Sequence, residues 1–293
     1  MPETLRTPKI ILGTANFGNQ YGIANKNIDS SIESISKIIH TALELGVTSF
    51  DTAKGYGEAE AILGDNLVGY RNLSVTTKIG KNDCERASQI ISSVQKSLQN
   101  TKIEKFSAVL LHDSSVLEGQ YRNEVKMGLL ELLDLGICER IGVSVYSESE
   151  IVGAKKNLPE LTEFQIPENI CDQRKISSEY LHELASTGNN ISVRSIFLQG
   201  LLLMKASEVP LKLNTAIDKI MKLQKFALSN QISVLEACIA YAKSIPWASG
   251  LIFGIDSPQQ LKIIVSNFNK SYDLDMNQGL KLDDWTLDPR NWS

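Results

Sequence analysis

Short apolar runs rich in Val, Ile and Phe recur along the chain, separated by longer segments of helical period. The runs predict strands at 12–16 (LGTAN), 47–51 (VTSFD), 73–78 (LSVTTK), 106–112 (FSAVLLH), 140–146 (RIGVSVY), 162–167 (TEFQIP), 191–197 (ISVRSIF) and 249–254 (SGLIFG). They are almost continuously apolar, as strands of a parallel sheet covered on both faces should be. Ahead of the second run, the spacing IxxIxxIIxxALxL predicts an amphipathic helix that opens after the capping residues Asp29, Ser30 and Ser31. Eight such βα repeats predict a (β/α)8 barrel of the TIM type. A doubly wound open sheet would call for a Gly-x-Gly-x-x-Gly turn after the first strand, and Gly13, Gly18 and Gly22 lack that spacing. No linker, low-complexity tract or charge block interrupts the series, so residues 1–293 read as one barrel domain. From about Ser271 the chain turns polar and carries two tryptophans, a tail expected to pack across the barrel without joining it.

Composition narrows the function. A hydrophobic fraction of 42% and a charged fraction of 22% supply an ordinary globular core. The net charge of −4 gives no basic footprint for nucleic acid or an anionic membrane surface. No apolar run approaches the roughly 18 residues of a membrane span. The start, MPETLRTPKIILG, has no basic segment followed by an apolar one, so no secretory signal is expected. Cys84, Cys138, Cys171 and Cys238 are scattered without metal-ligand spacing, which fits buried thiols in a cytoplasmic protein.

The chemistry gathers at strand ends. In a parallel barrel, the residues at the C-terminal ends of the strands converge on one pocket. Asp51 and Tyr56 follow the second predicted strand, Lys78 ends the third and His112 ends the fourth. Hydride addition to an aldehyde or ketone leaves negative charge on oxygen, and a proton donor must meet it. A tyrosine with its usual pKa near 10 is too weak an acid for this at neutral pH. An adjacent ammonium stabilises the phenolate, which suits Lys78, and Asp51 can hold that ammonium charged and in place. His112 can orient the carbonyl or share the proton. Any one of these residues alone has a structural explanation; their joint arrival at neighbouring strand ends points to a proton relay.

The stretches LGTANFG, FDTAKGYGEAEAILG, VTTKIG, LLHD, RIGVS, EFQIPEN, FLQGLLL and FGIDSPQQL occur in the order seen in the aldo-keto reductases, which the chain resembles from Gly13 to about Leu261. The resemblance implies a carbonyl reductase or alcohol dehydrogenase using NAD(P)H, with Asp51, Tyr56, Lys78 and His112 as the catalytic set. It also implies cofactor contacts from Gly13, Thr14, Ser144, Gln165, Ser195, Gln199, Gly200, Asp256 and Ser257. Ser144 and Gln165 match positions that hold the nicotinamide amide, and Asn169 matches a position often filled by Asn in the same turn. Ser195, Gln199 and Gly200 match the pyrophosphate loop. Two positions depart from the family. Val145 replaces an asparagine, and Arg194 stands where an aromatic ring stacks on nicotinamide, a role that a guanidinium can also fill. Where the family pairs a cation with the 2′-phosphate of NADP, this chain has Asp256, which favours a free ribose hydroxyl and hence NADH over NADPH. Asp256 and Ser257 also read simply as the cap of a helix beginning at Pro258.

Phe17, Gln20, Tyr21 and Lys54 lie on loops of the same face, and a polar-aromatic wall of this kind suits a sugar-like carbonyl. Trp247, at the opposite end, reads as packing. Two other classes compete with the reductase: a catalytically impaired, cofactor-binding regulatory barrel, and an aldolase using Lys78 as a Schiff-base amine. The intact set of four speaks against the first, and the neighbouring Tyr and His against the second.

Overall fold

The computed structural model describes residues 7–18, 31–275 and 279–292. Eight parallel strands close into a barrel in sequence order. They are β1 (Lys9–Gly13), β2 (Ser49–Asp51), β3 (Ser74–Ile79), β4 (Ala108–Leu111), β5 (Ile141–Ser144), β6 (Glu163–Pro167), β7 (Asn190–Arg194) and β8 (Gly250–Gly254). β8 pairs back to β1 from Lys9↔Gly250 to Gly13↔Gly254, so no edge is left open. The expected (β/α)8 barrel is thus the observed fold.

Helices cover the outside: α1 (Ile32–Glu44), α2 (Ala59–Leu67), α3 (Ala87–Thr101), α4 (Arg122–Asp134), α5 (Glu148–Asn157) and α6 (Glu179–Ser186). They continue with α7 (Ile217–Ser229), α8 (Val234–Lys243), α9 (Pro258–Phe268) and the short α10 (Asp284–Leu287). The α1 helix buries Ile35, Ile38, Ile39 and Ala42 along one stripe, and the Ser31 hydroxyl accepts the Ser34 amide to cap it. Of the other two expected caps, Asp29 and Ser30 lie outside the described residues.

The first strand needs correction. Pairing begins at Lys9 and stops at Gly13, three residues earlier than LGTAN suggests. Residues 14–18 form a turn instead, closed by the Phe17 amide on the Thr14 carbonyl at 2.9 Å. The seventh strand also ends early, at Arg194, because Ser195 takes a left-handed backbone (φ 62°) that no strand accommodates.

Two regions outside the ladder steady the catalytic face. After β6, Lys175 is buried between Glu168 (3.2 Å) and Asp172 (3.1 Å), while the Tyr241 hydroxyl donates to Glu168 at 2.7 Å. Trp247 packs beneath this loop, its indole N–H on the Lys175 carbonyl at 2.9 Å. The tail adds no strand among the described residues. It buries Leu280, Leu282, Leu287 and Trp292, and the Leu282 amide donates to the Cys171 carbonyl at 3.0 Å. All four cysteines are buried free thiols, packed as small apolar groups.

Candidate active site

Parallel register brings the chemistry together. Asp51 ends β2 opposite Thr76, and Lys78 lies two residues further along β3. The ladder continues past the strand ends, with the Lys54 amide on the Lys78 carbonyl and the His112 amide on the Ile79 carbonyl, both at 3.0 Å. Tyr56 stands on the short loop between β2 and α2. That loop is pinned from beneath by Gly18: a Cβ there would sit 1.9 Å from the Tyr56 carbonyl oxygen and 2.6 Å from the Glu58 amide. Only glycine allows this backbone-to-backbone approach.

Asp51, Tyr56, Lys78 and His112 all line one cavity of about 980 Å³ at this end of the barrel. Lys78 Nζ donates to Asp51 Oδ2 at 2.6 Å and to the Thr52 carbonyl at 3.0 Å. The same ammonium lies 5.2 Å from the centroid of the Tyr56 ring. Tyr56 and His112 meet edge to face, with centroids 5.9 Å apart. Asp51 is held on its other oxygen by the Gln165 side-chain amide. Burial opposes the charge on Lys78, but the Asp51 carboxylate and Tyr56 outweigh it, and the lysine pKa lies above its ordinary value. The enclosing cavity walls, followed by the charges of Lys78 and Arg194, push the His112 imidazole down to about 4. His112 is therefore a neutral ring at pH 7, accessible from the cavity, able to donate one hydrogen bond and accept another.

The positions singled out for a cofactor fall into two groups. Gly13, Ser144, Gln165, Ser195, Gln199, Gly200 and Asp256 line the cavity. Thr14 and Ser257 stand behind its wall. The Thr14 amide bonds to the Asp51 carbonyl at 2.9 Å, and the Ser257 hydroxyl caps α9 by accepting the Gln260 amide at 3.1 Å. Asp256 faces the cavity while accepting the Asn16 side-chain amide at 2.9 Å. Asn169 lies below the same loop, donating to the Ser195 carbonyl at 3.2 Å.

The residues present fit a nicotinamide. Gln165 Oε1 is buried without a hydrogen-bond partner, an acceptor left for an amide N–H, and Ser144 lines the cavity beside it. The loop after β7 holds Ser195, Leu198 and Gln199 at positive φ, strained backbone of the kind found at ligand clamps, ahead of Gly200, which takes positive φ freely.

Two substrate-side expectations are corrected. Phe17 is buried in the core, and Lys54 turns away to Asp83 and Ser93, so neither forms a wall of the cavity. Both were read from a loop's position alone, and local polar partners and apolar packing decided otherwise. Gln20 and Tyr21 lie outside the described residues. The cavity instead takes its wall from Asn16, Asp113, Tyr146, Glu150, Phe197 and Arg290. None of these carries a sequence signal strong enough to single it out; Tyr146, two residues after Ser144, was the nearest to legible.

Residues 9–281 match the Aldo/keto reductase family, and the chain belongs to it. It is an oxidoreductase acting on carbonyl compounds, of a family that uses nicotinamide cofactors. Among solved structures, the holo form of an aldo-keto reductase from Bacillus halodurans superposes with a TM-score of 0.72 at 20% identity, covering 92% of this chain and 89% of that one. A thermostable aldo-keto reductase in complex with the inhibitor epalrestat gives 0.72 at 18% identity, covering 93% and 94%. No curated protein matches.

Proposed function

We propose that the protein reduces an aldehyde or ketone with NADH, Tyr56 acting as the general acid. The observation that carries this reading is the Lys78 ammonium, fixed by Asp51 at 2.6 Å and facing the Tyr56 ring at 5.2 Å. When bound, the nicotinamide supplies the hydride. Tyr56 passes its hydroxyl proton to the carbonyl oxygen as negative charge builds there, and the ammonium stabilises the phenolate left behind. Neutral His112 donates an N–H to the same oxygen and so orients the carbonyl. Asp51 keeps Lys78 charged. Ser144 and Gln165 would hold the carboxamide, and Ser195, Gln199 and Gly200 would hold the pyrophosphate.

The preference for NADH rests on Asp256, a carboxylate on the cavity wall that would repel a 2′-phosphate. Glu208 lines the same cavity and adds a second negative charge. The sugar-like substrate keeps only the cavity's polar lining as support, and a cytoplasmic location rests on the pattern of cysteines. Among the described residues no helix is long and apolar enough to cross a membrane.

The test is Tyr56→Phe, which leaves the ring and removes the proton. Turnover should fall ~10²–10⁴-fold, the usual worth of a general acid, with the cofactor dissociation constant unchanged within a few-fold. Retention of more than half the wild-type turnover would refute the assignment.

A further inference from the structure

We infer that the substrate carries an anionic group, a carboxylate or a phosphate, read by the guanidinium pair that lies over the Tyr146 ring in the cavity wall. This deepens the proposed function and rests on its placement of the carbonyl between Tyr56 and His112. The Tyr146 ring has the Arg194 guanidinium 4.2 Å from its centroid and the Arg290 guanidinium 3.6 Å from it. All three residues line the cavity that holds Tyr56 and His112. Arg194 therefore lines the same cavity as His112, the group assigned to orient the carbonyl.

The distribution of partners decides the sign of the ligand. The carboxylates lining the cavity bond to groups other than Arg194: Asp256 accepts from the Asn16 side chain and Glu208 from the Lys205 amide. Asp51 is paired with Lys78, Glu150 accepts from the Tyr146 amide and the Ser147 hydroxyl, and Asp113 caps the Ser115 amide. Arg290 forms a fork with Asp288. Arg194 is different. It donates to the Val145 carbonyl at 2.9 Å and, at 3.4 Å, to the Ser195 hydroxyl, while its Nε is buried without a partner. Among the described residues no carboxylate pairs with it. Asp288 acts on Arg194 only at longer range, so the half-buried guanidinium has no directly bonded counter-ion unless a ligand supplies one, and its planar fork matches a carboxylate or phosphate oxygen pair. The Tyr146 ring, 4.2 Å from the guanidinium, and the Val145 carbonyl hold the head group of Arg194 in the cavity wall.

The experiment compares matched carbonyls: 4-carboxybenzaldehyde against benzaldehyde, and glyceraldehyde 3-phosphate against glyceraldehyde, each with NADH and NADPH. The charged member of at least one pair should have a kcat/KM at least tenfold higher, and the pair that responds separates carboxylate from phosphate. In Arg194→Gln that preference should fall at least tenfold. Arg290→Gln, on the tail and remote from the barrel ladder, provides a second variant if the first fails to fold, and the preference should fall there also. A wild-type preference below tenfold in both pairs overturns the inference, as does a preference unchanged in the folded variants. If no carbonyl is reduced with either cofactor, the proposed reaction has failed, and calorimetry decides the anion site alone. Benzoate or inorganic phosphate should then bind at millimolar concentration to the wild type and at least tenfold more weakly to Arg194→Gln; absence of binding by both anions overturns it.

Discussion

Removing the charge of Asp51 tests the buried pair on which the proton relay depends. The Lys78 and Asp51 side chains are only 2% and 7% exposed, with Nζ and Oδ2 2.6 Å apart. At an effective dielectric constant of about 20 their attraction is on the order of 6 kcal/mol, comparable to the several kcal/mol that each ion loses on leaving water. The intact pair therefore contributes little net stability, whereas an orphaned member costs a great deal. Asp51→Asn keeps an oxygen for the Gln165 amide but leaves the ammonium with only neutral partners, the Thr52 carbonyl and the Tyr56 hydroxyl. The expected loss is about 3–5 kcal/mol. Adding Lys78→Met removes the stranded charge, and the double variant should be at least ~2 kcal/mol more stable than Asp51→Asn alone. Both variants should be inactive. The pH dependence separates them further. In the wild type the lysine pKa is raised, so its contribution is complete below the unfolded value of 10.5 and is lost only as pH rises through the folded pKa. In Asp51→Asn burial dominates and the folded pKa drops, so that variant should gain stability as pH rises toward 10.5. Urea unfolding followed by circular dichroism between pH 6 and 10 measures all three proteins. An Asp51→Asn variant within ~1 kcal/mol of wild type, or a double variant less stable than the single, would refute the reasoning.

Three residues of the site give further outcomes. His112, held down to about 4, should keep its neutral NMR signature to pH 5, identified by its loss in His112→Asn; a midpoint above 6 contradicts the cavity's electrostatics. Because its folded pKa lies below the unfolded 6.5, His112 should withdraw stability as pH falls through the window from 6.5 to 4. Asp256→Arg should shift preference toward NADPH by on the order of 1–3 kcal/mol, the scale of one charge-assisted hydrogen bond, read from four dissociation constants; a wild type that already prefers NADPH tenfold means Asp256 does not face the ribose. Gly18→Ala forces a methyl into the Tyr56 carbonyl and should cost ~1–3 kcal/mol in unfolding experiments together with most of the turnover, whereas a fully active alanine variant would show that the Tyr56 loop is free to shift.

The barrel was legible because parallel strands covered on both faces must be apolar throughout, and runs such as AVLL and IGVS have few other uses. The strand ends were legible for the same reason: Asp51, Lys78 and His112 interrupt or end apolar runs at equivalent positions. Where the sequence misled, a backbone conformation or a local partner decided the outcome. LGTAN continues the apolar run of β1 in composition, yet the Thr14–Phe17 hydrogen bond turns the chain. Lys54 shares its loop with Tyr56, yet Asp83 and Ser93 draw it away. Arg290 was invisible because its neighbour Tyr146 is 144 positions distant, a pairing that no local pattern encodes.

That distant pairing divides the molecule into parts free to change at different rates. The acid, the ammonium and the imidazole hang from hydrogen-bonded strands, where a one-residue slip would turn every side chain around. Arg290 hangs from a tail that adds no strand among the described residues and is anchored by Leu287 and Trp292 on either side. Substitutions between those anchors can redraw what enters the cavity while the barrel registers no difference. Diversification of such a protein therefore has an inexpensive route: drift in a few tail residues, selection on uptake at the mouth, and an unchanged engine beneath.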